Sequence, residues 1–138
     1  MRRPEMEPEQ AGQFTAPFRT PEYREHTTRF IGSMFPNPGT EALRERVLSE
    51  MLATPQYVML GAMEGMFGMQ PIKPGETFKV PAMAIMVATP ARANYESQLR
   101  EIFPNLRKYE AWEGAGHFLM MESPERFNKS MEDFLKGL

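Results

Sequence analysis

The 138-residue sequence contains no cysteine, which excludes disulfides, thiolate catalysis and cysteine-ligated metals. A reducing, cytoplasmic setting is the expectation that goes with this absence. Charge of one sign is scarce as well. Sixteen basic residues against 18 acidic ones leave a net charge of −2, so no clustered positive field awaits nucleic-acid phosphates. The longest hydrophobic run, Val80 to Pro90, is about half what a membrane span requires, and no membrane partner is expected. Arg2 and Arg3 are not followed by an apolar stretch, so no secretory signal is read. No glycine-rich phosphate loop follows a strand-like run, and neither a nucleotide nor any other cofactor is implied. There are two histidines, His26 and His117. His26 sits among Arg24, Glu25 and Arg29 and reads as part of a solvated helix face; Glu22-x-x-x-His26 is too sparse for a metal site.

What is present has the balance of one globular domain, 41% hydrophobic and 25% charged. Residues 1–16 are polar, carry Pro4 and Pro8, show no period, and read as a flexible arm. Thr20-Pro21-Glu22 then opens a helix: the threonine can cap, proline suits the first turn, and Glu22 and Glu25 favour the positive end of the dipole. Tyr23, Phe30, Ile31 and Met34 give its buried stripe, and Pro36-Asn37-Pro38-Gly39 stops it. A second helix begins at Thr40, with Leu43, Val47, Met51 and Leu52 on one face, and ends at Pro55. Thr54-Pro55 starts a third, running through Tyr57, Leu60, Met63 and Phe67 to Gly68. Residues 17–70 are therefore expected to be a helical, cap-like segment. Many of the 13 methionines gather here. Met34, Met51, Met59, Met63 and Met66, with Phe67, suit either an adaptable apolar pocket or a plain helical core.

Residues 71–138 read differently. After a loop with Pro71, Pro74 and Gly75, Val80–Ala88 is a continuous apolar run, the pattern of a strand buried on both faces of a parallel sheet. Pro81 belongs at its first pairing position, where a missing N–H is harmless. Asn94 to Phe103 predicts a helix, with Tyr95, Leu99, Ile102 and Phe103 inward. Leu106–Trp112 predicts a second strand, with Leu106, Tyr109 and Ala111 buried. Ser123 and Pro124 open a last helix whose Phe127, Met131, Phe134 and Leu135 form an apolar stripe. The result is an α/β fold class, a helical segment followed by a β-α-β-α unit with parallel strands. Only one strand is offered as partner to Val80–Ala88. Two strands alone are marginal, and an open apolar edge invites association. The missing strands are expected from a second copy, a partner chain or a longer parent.

Between the second strand and the last helix lies Gly114-Ala115-Gly116-His117-Phe118, followed by Glu122-x-Pro124-Glu125-x-Phe127. Together with the preceding helices and the strand led by Val80-Pro81, this order resembles the C-terminal half of α/β-hydrolases, over roughly Phe18 to Leu138. The His117-to-Phe127 stretch is similar to the esterase, dehalogenase and C–C hydrolase branch of that family. The resemblance implies that His117 is the general base of a hydrolase of ester or similar acyl bonds. It also implies that Phe18–Phe67 is the cap that selects a small apolar, ester-like substrate. In such enzymes the base serves a nucleophile at a Gly-x-Ser-x-Gly elbow and is oriented by an acid.

The sequence departs from that pattern twice. No Gly-x-Ser-x-Gly occurs; the nearest spelling, Gly61-Ala62-Met63-Glu64-Gly65, has an unreactive thioether at its centre and reads as close helix packing through its glycines. The usual acid position, after the first strand, reads Ala88-Thr89-Pro90-Ala91-Arg92 and holds no carboxylate; Glu96 is the nearest, one helical turn on. His117 is then the one triad member present, and the chain alone is expected to be catalytically incomplete. The other reading is a non-catalytic binding or assembly module that oligomerises through exposed strand edges.

Overall fold

A computed structural model describes residues 8–70 and 72–138, and the division between its two units falls after Pro71. The first unit is helical: α1 (Pro8–Thr15), a 3-10 turn over Ala16–Arg19, α2 (Tyr23–Gly32), α3 (Glu41–Ala53) and α4 (Gln56–Phe67). Its centre is aromatic. The Phe14 ring meets Phe67 at 5.2 Å and Phe30 at 5.6 Å, both edge-on, while Phe18 meets Phe30 at 5.8 Å. Such edge-to-face pairs contribute about 0.5–1.5 kcal/mol beyond the area they bury. Phe18, Ile31, Phe35 and Val47 are buried around them. The hydroxyls of buried Thr15 and Thr27 fold back onto the Ala11 and Tyr23 carbonyls, at 3.0 and 2.8 Å, so neither is left unsatisfied. Gln56, the first residue of α4, donates to the carbonyls of Phe18 and Thr20, which fastens the 3-10 turn to that helix.

This corrects the arm expected over residues 1–16. Residues 1–7 lie outside those described, but Pro8–Thr15 is a helix, and it docks because Phe14 and Phe18 are one turn apart and both reach the aromatic centre. The expected starts at Thr20, Thr40 and Thr54 fall within a few residues of α2, α3 and α4. The capping role of the Thr20 hydroxyl is not realised: it bonds back to the carbonyl of Pro17 instead. Close packing through Gly61 and Gly65 is overturned too, since a Cβ on either would meet no atom within 4 Å. His26 is half-buried, its ring set against Phe18 and its Nδ1 3.0 Å from Arg29, rather than freely solvated.

The second unit is a small α/β arrangement: β1 (Ala82–Val87), α5 (Tyr95–Ile102), β2 (Leu106–Trp112), α6 (Leu119–Glu122) and α7 (Pro124–Lys136). The strands are parallel, as expected, with register running from Met83 opposite Lys108 to Val87 opposite Trp112 and an irregularity between Ala82 and Met83. Pro81 stands just ahead of the pairing. Arg100 on α5 holds the Leu106 carbonyl at 2.8 Å, which ties that helix to the start of β2, and Asn105 Nδ2 holds the Lys79 carbonyl at 2.7 Å, which ties the turn before β2 to the segment leading into β1. Every β1 residue is half-buried. The expected burial on both faces is therefore incomplete.

On β2 the inward residues are not all those expected. Leu106 is buried, but Ala111 is exposed and Trp112 is 1% accessible. Side chains alternate along a strand, and the face carrying Lys108, Glu110 and Trp112 is the one turned to α7. Of the stripe expected on α7, Phe127, Met131 and Phe134 are half-buried. Leu135 is 57% accessible, and Ser130 is buried in the middle of the packed face.

Candidate functional site

β2 ends at Trp112, and the chain must reverse within a few residues to begin α6. Gly114 makes that possible: its φ of +69° lies in the left-handed region that other residues enter only with strain. Gly116 is needed for a different reason. It is buried, and a Cβ there would lie 2.9 Å from Glu122 Cδ and overlap the carboxylate. In that space the Gly116 N–H donates to Glu122 Oε2 at 3.0 Å, while Oε1 is shut off from solvent.

His117, the one catalytic residue expected from the sequence, follows at once and is exposed. Its ring stands edge-on to Phe118 at 5.0 Å, and among the described residues no carboxylate or hydroxyl hydrogen-bonds to it. The loop after β1 opens at the same end of the parallel pair, the end at which α/β sheets present their sites. It brings no acid. Arg92 turns back so that Nη1 donates to the Val87 carbonyl at 3.2 Å, and its guanidinium lies 6.0 Å from the Tyr95 ring. Glu96 is paired with Arg100 at 2.7 Å. The site is thus an accessible imidazole on a braced loop, without the carboxylate that would select its tautomer.

Beneath that loop lies a polar cluster the sequence reading missed. Glu110 accepts from Trp112 Nε1 at 2.6 Å, from Ser130 Oγ at 2.8 Å and from Lys108 Nζ at 2.8 Å. Burial by itself would raise this carboxyl, but the bonds from Lys108, Trp112 and Ser130 and the Lys108 charge outweigh it and hold the pKa at about 2. Arg126, one turn before Ser130 on α7, lays its guanidinium 3.9 Å from the Trp112 ring centre. The signal was available in Lys108-x-Glu110-x-Trp112, three functional side chains at strand period facing Arg126 and Ser130 at helix period.

In the first unit, a cleft of about 340 Å³ between α1 and α4 is lined by Ala11, Gly12, Thr15, Phe67 and Gly68, with the Arg19–Glu64 ion pair at its side. Of the group proposed from sequence as a pocket, Phe67 alone lines it; Met51 and Met66 are exposed. Among the described residues no group of three or more histidine or acidic side chains is placed to hold a metal, and no helix is long and apolar enough to cross a membrane. No family model matches the sequence, and neither a curated protein nor a solved structure is significantly similar to it.

Proposed function

We propose that this chain is the histidine-bearing portion of an α/β-hydrolase-type protein acting on an ester or similar acyl bond, and that it is catalytically incomplete by itself. The observation that carries this reading is His117: exposed, on a loop whose glycines have physical reasons to be there, at the carboxyl end of a parallel strand pair. That is where a general base must stand to take a proton from a nucleophile delivered by an adjacent strand. In the proposed chemistry the imidazole removes the nucleophile's proton as the acyl carbon is attacked and returns it to the leaving alcohol. The substrate class, a small apolar ester-like compound, is the one the resemblance implies. With neither nucleophile nor orienting acid in the chain, the purified protein should hydrolyse a chromogenic acyl ester no faster than buffer. Turnover that disappears in His117→Ala would overturn the incompleteness. The hydrolase reading itself is tested by the coding sequence on the 5′ side of the Met1 codon, where an in-frame Gly-x-Ser-x-Gly segment is the expected result.

A second reading has its own observation. Ala82 N–H donates to the Asn105 carbonyl and Ala88 N–H to that of Trp112. Main-chain groups of successive strand residues point to opposite sides, so those of Met83, Ile85 and Val87 face away from β2. An edge of that kind fits a non-catalytic module that assembles by adding strands.

A further inference from the structure

His117 is flanked by two main-chain anchors, and Glu122 contributes to both. On its N-terminal side, Gly116 N–H is held by the Glu122 carboxylate at 3.0 Å. On its C-terminal side, the Phe118 carbonyl accepts the N–H of Glu122 at 2.9 Å and that of Met121 at 2.7 Å. The side chain of Glu122 therefore ties residue 116 and its backbone ties residue 118, leaving the histidine between them as the crown of a closed loop. A charge-assisted bond to a buried N–H is stronger than a neutral one, and the carboxylate occupies the volume that any side chain at position 116 would need.

We infer that Glu122 is the positioning residue of His117, fixing the direction in which the imidazole is presented without touching it. The inference rests on the reading of His117 as a proton-transfer group, but the bracing can be measured apart from any reaction. In the labelled chain, a scalar coupling through the hydrogen bond should connect the Gly116 amide nitrogen to the Glu122 side-chain carboxyl carbon. At fixed pH, Glu122→Ala should speed Gly116 amide exchange about tenfold or more, the loss of one bond to a charged acceptor, and should shift and broaden the His117 ring signals. Glu122→Gln keeps an acceptor at the same reach and should restore most of the protection. Gly116→Ala should disturb the loop in the wild-type background and much less beside Glu122→Ala, because the collision partner is gone.

Absence of that coupling, in spectra where the backbone couplings of α7 are seen, overturns the inference, and that measurement needs no variant to fold. So does Glu122→Ala that releases Gly116 while the His117 signals stay put, since the glutamate would then hold the loop without orienting the ring. None of these readouts depends on turnover. Loop bracing confirmed in a protein whose gene holds no nucleophile elbow would remove the hydrolase reading and leave this one standing.

Discussion

At β2 the alternation of side chains puts Lys108, Glu110 and Trp112 against α7, and Glu110 collects hydrogen bonds from both of its strand neighbours and from Ser130. A carboxylate drawn partly out of water is costly unless its lone pairs are filled; here three donors fill them. The consequence is a pH dependence whose sign is fixed. The Glu110 carboxyl titrates at about 2 in the folded chain against 4.5 as its ordinary value, so its stabilisation is present above pH 4.5 and drains away as pH falls toward 2. Undiscounted, the shift corresponds to on the order of 3 kcal/mol; with the side chain 21% accessible, solvent screening lowers this. Glu110→Gln should therefore be less stable than wild type at neutral pH by about 1–2 kcal/mol, with the gap closing between pH 4.5 and 2. Urea unfolding at stepped pH reads this directly. A gap of constant size down to pH 2.5 would mean that the charge of Glu110 contributes nothing and that its bonds are those of any acceptor.

Among the elements, α4 departs furthest from the expectation of a packed helix: it is strongly apolar yet contains no buried residue, and Tyr57 on it is 76% accessible. Gly61 and Gly65 lie within it with open space around them. Helix-interior glycine costs about 0.5–1 kcal/mol relative to alanine through backbone entropy, and nothing here offsets that cost with a close contact. Gly61→Ala and Gly65→Ala should each raise the unfolding free energy by about 0.5–1 kcal/mol, seen as a higher thermal midpoint; a loss would reveal a packing partner for this face. The helices α2, α3, α4, α5 and α7 and both strands were legible because proline and glycine punctuate them and their apolar periods are clear. α1 was not. Pro4, Pro8 and the polar composition outweighed the single Phe14-to-Phe18 spacing that docks it. The Glu110 cluster was hidden for a related reason: a search for apolar burial on β2 favoured Tyr109 and Ala111, while the packed face is polar and satisfied by α7. His117 was legible as a position, but its bracing depends on the turn of α6, which no periodicity announces.

For the molecule as a whole, the unsettled balance is at the free edge of β1. Three residues there, Met83, Ile85 and Val87, turn uncharged main-chain groups outward, and a two-stranded sheet is marginal without more cover. A second copy that adds its own β1 to this edge through a two-fold axis makes the new pair antiparallel; centred on Ile85, that pair sets Met83 opposite Val87. No like charges face one another in that pairing. Arg92 stands in its way, because its Nη1 already occupies the Val87 carbonyl that the incoming strand would use. If the edge self-associates, light scattering should show a dimer that persists on dilution into the low micromolar range. Arg92→Ala should tighten it several-fold by freeing that carbonyl, and Met83→Lys should weaken it, since lysine on an edge strand disfavours pairing. A monomer at every concentration, unchanged by Arg92→Ala, would exclude self-association. The strand that β1 lacks would then have to come from a parent or partner polypeptide, which is the arrangement a hydrolase built around His117 requires.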